Sequence, residues 1–226
     1  MNYFIFYISG SMGSLLSVLI NSQTDKNFKF TGFTDNTAHN MTKDIFRNTH
    51  DYSDYCKFKK SNKNIQQHLD ENQEKIQGFQ RCIINWCEEF INYRPKNILP
   101  IICYLSDNSL KLNNFYYKLG EITLKNALPE EFNFKIKKNH KNYEEILFIK
   151  TITWLMNKEK KYLNLFPSID MIPIICEKNY RELKNICKIK SEKILDEIVD
   201  NYNSKQLDKP VPFAKFNQFA KKYFKK

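Results

Sequence analysis

The sequence predicts an all-α protein, a multi-helix bundle arranged as two related helical units. Three observations lead there. From Ile65 to Tyr93 the large apolar residues Ile65, Leu69, Ile76, Phe79, Ile83, Trp86, Phe90 and Tyr93 recur at steps of four and three, with one polar slot at Asn72. That spacing is one side of a helix about eight turns long. Glycine is scarce, with five in 226 residues, which disfavours sandwiches and barrels built on many tight turns. Finally, Pro100-Ile101-Ile102-Cys103 is echoed by Pro173-Ile174-Ile175-Cys176, and each copy follows a Trp-bearing segment, Ile83-Ile84-Asn85-Trp86 and Thr151-Ile152-Thr153-Trp154.

Taken in order, residues 1–24 form an apolar N-terminal segment without a charged side chain, a tail or an anchor. A signal peptide would need a basic start, which is missing. A membrane anchor would be short and diluted by Ser and Gly. Met12-Gly13-Ser14-Leu15-Leu16-Ser17 fits the N-myristoylation pattern if translation begins at Met12, with Gly13 as the lipid acceptor. The plain alternative is a tail that is poorly ordered or docked on the core. Residues 25–61 read as a loop with short helices at Lys43–Thr49 and Asp51–Lys60.

The first helical unit spans 62–141. Its organising helix stops at Pro95. Ile98 to Leu105 reads as a buried helix with Pro100 in its first turn. Leu110 to Leu128 follows as an amphipathic helix, then a basic connector at 135–141. The second unit spans 142–204, with a helix at Tyr143–Leu163, the Ile169–Cys176 run, and a helix at Asn179–Tyr202 carrying Tyr180, Leu183, Ile186, Ile194, Ile198 and Tyr202. Residues 205–226 are a basic aromatic tail, where Lys215, Lys221, Lys222, Lys225 and Lys226 form a basic patch among Phe213, Phe216, Phe219, Tyr223 and Phe224.

The net charge of +11 is uneven. Residues 1–113 carry 13 Lys/Arg against 11 Asp/Glu; residues 114–226 carry 23 against 14. A basic half suits nucleic acid, a membrane surface or an acidic protein partner. Six cysteines occur without a C-x-x-C or a Cys/His spacing that binds zinc, so no metal is expected and the thiols read as reduced and intracellular, in cytoplasm or nucleus. The scattered glycines form no phosphate-binding loop pattern, and no Ser sits in a G-x-S-x-G turn. Glu88-Glu89, Glu130-Glu131 and Glu144-Glu145 are adjacent on helices and diverge by about 100°, which suits solvent better than acid–base work. The expectation is a non-enzymatic binding protein without a cofactor.

Several runs resemble cyclins. Ile83-Ile84-Asn85-Trp86-Cys87-Glu88-Glu89-Phe90 is similar to the first cyclin-box helix, with Asn85 in place of an acid. Leu119 to Glu131, with its closing acidic pair, resembles the third, and Glu145-Ile146-Leu147-Phe148-Ile149-Lys150 the fifth. Phe166-Pro167-Ser168 resembles the entry to a second-box helix. The resemblance covers roughly 62–200. It implies a regulatory subunit of a cyclin-dependent-type Ser/Thr protein kinase, presenting Lys125, Glu131 and Glu145 to its partner. Leu128 and Lys150 stand where cyclins place the Lys and the Glu of that contact. Two readings stand beside it: a peripheral membrane scaffold held by a lipid on Gly13 and the basic tail, and a nucleic-acid binder using the basic half.

Overall fold

The structure, a computed structural model, describes residues 2–7, 11–24, 26, 28–34, 80–83, 98–108, 110–111, 114, 153 and 156–205. Its centre is a parallel sheet, so the described part is mixed α/β and the expectation of an all-α bundle is corrected. The strands are β1 (Asn2–Tyr7), β2 (Gln80–Ile83), β3 (Ile98–Tyr104) and the short β4 (Ser168–Asp170). They lie in the order β2-β1-β3-β4, every neighbouring pair parallel. The helices are α1 (Gly13–Thr24), α2 (Met171–Glu177), α3 (Arg181–Ile186) and α4 (Glu192–Lys205), with a further helical segment over 156–163.

The uncharged N-terminal stretch supplies an inner strand of the sheet. β1 pairs with β2 on one side and with β3 on the other, Phe4 matching Gln80 and Pro100. Both faces of the sheet are covered. Tyr3, Ile5, Tyr7, Ile101 and Cys103 point into the main core with Leu15, Leu16, Val18 and Leu19 of α1. Phe6 and Ile102 alternate to the opposite face, also buried, and Phe6 stacks on Phe166 at 5.8 Å. Burial on two faces is what lets a parallel strand be apolar without alternation. Each fully buried Ile or Leu contributes roughly 1.5–3 kcal/mol relative to exposure.

Residues 13–23 of α1 are all buried, because the helix lies between the sheet and α4. Its small polar residues satisfy themselves locally: Ser17 Oγ donates to the Gly13 carbonyl at 3.0 Å, Ser22 Oγ to Leu19 at 2.7 Å and Thr24 Oγ1 to Ile20 at 3.0 Å. α4 buries Leu195, Ile198, Val199 and Tyr202 and leaves its acids and lysines in water. Asp170 caps α2 by accepting from Ile172 N, and Lys178 closes that helix in the left-handed region at φ 53°.

The differences from the sequence reading have local causes. Gln80–Ile83, inside the expected organising helix, is a strand because β1 offers it a parallel ladder. Phe79, Trp86 and the rest of that segment lie outside the described residues. Ile98–Tyr104 is a strand too. Ile102 N donates to the Pro167 carbonyl at 2.8 Å, on the β4 side. Pro100, two residues earlier, faces the same way, before β4 pairing begins at Ile102, so its missing N–H breaks no ladder. The Pro-Ile-Ile-Cys echo is a strand in the first copy and helix α2 in the second, so it does not mark two related helical units. The expected helix from Asn179 to Tyr202 is broken at 187–191 into α3 and α4. Of the cyclin-like runs, Ile83 ends β2, and Phe166-Pro167-Ser168 leads into β4 instead of a helix.

Candidate functional site

At the carboxyl edge of β1 and β3 the core turns polar. β1 leads through Ser11 and Met12 into the N-terminus of α1. Met12 sits at φ 62°, and Gly13 lies so close to the Tyr7 ring that a Cβ there would collide with it. Ser11 is 0% exposed. Its carbonyl accepts from the Cys103 thiol at 2.9 Å, which ties this turn to the end of β3. Beyond β3, Lys111 is 3% exposed and forms an ion pair, through Nζ and Oε1, with Glu159 of the helical segment, itself 2% exposed. Asp170, at the end of β4, accepts from Ser106 N and Ile172 N, both at 3.1 Å, and its own N–H donates to Glu182 at 2.7 Å.

These groups feel one another. Burial raises the proton affinity of the Glu159 carboxyl; the Lys111 charge and hydrogen bond oppose this, Asp170 adds to it, and the Ser11 hydroxyl lowers it slightly. Burial, then Glu159 and Asp170, push the Cys103 thiol well up, with Lys111 opposing. Cys103 is therefore a protonated donor and not a nucleophile. Burial and the same acids raise the Tyr104 phenol. Among the described residues the buried oxygens Ser11 Oγ, Thr153 Oγ1 and Glu159 Oε2 make no hydrogen bond of full geometry, although the Ser11 hydroxyl and the Glu159 carboxylate face each other.

The topology gives the place meaning. The chain leaves β1 toward β2 on one side and returns to β3 on the other, so β1/β3 is the switch point of the sheet. In open parallel sheets the ligand crevice lies outside the carboxyl ends of the strands at such a point. The N-terminus of α1 faces the same edge and presents the positive end of the helix dipole. Lys111 adds a cation.

Of the residues expected from sequence, Gly13 is placed at the start of α1, buried. A chain started at Met12 to expose Gly13 for a lipid would lack β1, the strand between β2 and β3. Lys125, Glu131 and Glu145, and Lys215, Lys221, Lys222, Lys225 and Lys226, lie outside the described residues. Among the described residues no three His, Cys, Asp or Glu side chains gather as a metal site, and no helix is long and apolar enough to cross a membrane. Sequence reasoning missed Ser11, Lys111, Glu159 and Asp170. The signal that could have found the first was the pattern of apolar run, Ser/Gly turn and apolar helix within 3–20. A separate depression of about 810 Å³ lies between residues 30–32 and α4, lined by Lys193, Asp196, Glu197 and Asp200; it shares no residue with the cluster. No protein-family model matches the chain, and no curated protein or solved structure matches it either.

Proposed function

We propose that the chain is a ligand-binding domain of the doubly wound type, and that it takes a phosphate-bearing small molecule, a mononucleotide, at the carboxyl edge of β1 and β3. The observation that carries this reading is the coincidence, at the switch point of a parallel sheet, of the α1 N-terminus, the buried Ser11 hydroxyl and the Lys111 cation. Helix N-termini receive phosphate through backbone N–H groups and the dipole. Sheets of this strand order hold flavin mononucleotide at the corresponding crevice, which is an analogy of fold and sets the ligand class only. The kinase-regulator reading rests on runs that, apart from Ile83 in β2 and Phe166-Pro167-Ser168 leading into β4, lie outside the described residues.

The test is calorimetric titration of the full chain with inorganic phosphate, AMP and riboflavin 5′-phosphate. The expected result is saturable binding of at least one nucleotide, displaced by inorganic phosphate. Absence of heat with all three at millimolar concentration would overturn the reading.

A further inference from the structure

The depression between residues 30–32 and α4 has fixed walls. Phe33 N–H donates to Asn201 Oδ1 at 2.8 Å, and Gly32 turns the chain at φ 87°, so this stretch is pinned to the helix. The half-buried Phe30 ring meets Phe33 edge-on at 5.3 Å and gives the depression an aromatic wall. Across from it α4 supplies Asp196, Glu197 and Asp200 against Lys193. Two of these acids are held in place: the Tyr180 hydroxyl donates to Asp196 and Lys178 Nζ to Asp200, both at 2.8 Å. Even with Lys178 counted beside Lys193, three carboxylates leave the hollow of about 810 Å³ negative. A ring face beside carboxylates receives a cation carried next to an apolar or aromatic group.

Acids on a helix would by themselves be a solvated face. What gives these a partner is the chain that starts at the rim. Ser204 lines the depression and α4 ends at Lys205. Residues 206–226 then carry six lysines against Asp208 alone, with five aromatic residues between Phe213 and Phe224. Pro210 and Pro212 disfavour straight continuation of the helix. From Lys193 to Ser204 a helix rises about 16 Å. At up to about 3.5 Å per residue, the chain from 206 to Phe219 is long enough to turn back along that length. We propose that the depression is the docking site of this chain's own basic aromatic tail, residues 206–226, which sets a phenylalanine against Phe30 and lysines beside the three acids. The proposal is independent of the nucleotide reading, because the depression shares no residue with the β1/β3 edge. A docked tail withholds its lysines from other acidic surfaces.

The experiment places the photoreactive p-benzoylphenylalanine at Phe216, and in separate preparations at Phe213 and Phe219, of the full chain. Illumination should join the tail, within one chain, to peptides holding residues 28–33 or 194–204. Raising salt from about 0.1 M to about 1 M shortens the screening length from about 10 Å to about 3 Å, so adduct yield should fall several-fold. Glu197→Lys, at an exposed position, reverses one charge and should lower the yield roughly threefold or more with circular dichroism unchanged. Four outcomes overturn the proposal: no adduct from any of the three positions, adducts elsewhere on the chain, a yield indifferent to both salt and Glu197→Lys, or adducts found only in dimers. The last would assign the depression to the tail of a second copy.

Discussion

Lys111→Met tests the energetics of the site directly. The substitution keeps most of the side-chain length and removes the charge that faces Glu159, which is 2% exposed. Losing one partner of a buried ion pair leaves the other uncompensated and costs about 3–5 kcal/mol. For a chain of this size that lowers the thermal midpoint by roughly 6–20 °C. The loss should depend on pH, with a definite sign. The Glu159 carboxyl holds its proton more tightly folded than unfolded. Its contribution to stability is therefore greatest below the ordinary carboxylate range and falls as pH rises through the folded value. The two Lys111 effects that lower this affinity vanish in the variant, so the window extends upward. The lower the pH, the more readily Glu159 takes a proton and becomes neutral; toward alkaline pH it stays charged or holds its proton at a cost. Urea denaturation followed by circular dichroism at pH 5 and pH 8 reads both quantities. A loss below about 1 kcal/mol, or an equal loss at the two pH values, would refute the reasoning.

Three further predictions follow from the packing. Gly13→Ala places a methyl group into the Tyr7 ring and should cost about 1–3 kcal/mol in urea denaturation, because the ring is itself buried in the core. Gln23→Ala should cost a similar amount, about 2–3 kcal/mol, by leaving Lys190 N and Ser191 N without the Gln23 Oε1 that accepts from them at 2.7 and 3.0 Å. In timed alkylation with peptide mapping, exposed Cys176 should react well before Cys103 and Cys187. Burial raises both buried thiols, that of Cys187 to about 11, so thiolate is scarce as well as shielded.

Local pattern revealed the outer helices and concealed the sheet. Leu195, Ile198, Val199 and Tyr202 fall on one helical face, and α4 is there. The expected continuity from Asn179 was interrupted because Gln23 of α1 captures the backbone at 190–191, a contact 167 residues away in sequence that no window could show. Ile98–Tyr104 was ambiguous in principle: seven apolar residues fit a buried strand or a helical turn pair, and Pro fits the start of either. Its length favoured the strand. Gln80–Ile83 follows a helical period, and only pairing with β1 overrides it. The site was harder to read. Lys111 and Glu159 are 48 residues apart, each in a segment of helical character, where isolated charges ordinarily face water. Only the parallel direction of the strands collects the Ser11 turn, the end of β3, Lys111 and Asp170 at one edge.

That collection bears on why the charges are there. Stability alone favours apolar residues at buried positions, since desolvation of an ion pair offsets most of its attraction. The double variant Lys111→Met, Glu159→Leu removes both charges and leaves neither of them unpaired. If the pair is kept for the ligand, this variant should match wild type in urea denaturation or exceed it by about 1–4 kcal/mol, while losing affinity for the nucleotide probes. If the pair is kept for the fold, the double variant should be destabilised as much as Lys111→Met alone. The two outcomes differ by several kcal/mol, well beyond the error of extrapolated denaturation free energies, so one series of melts together with one titration separates a binding device from a structural one.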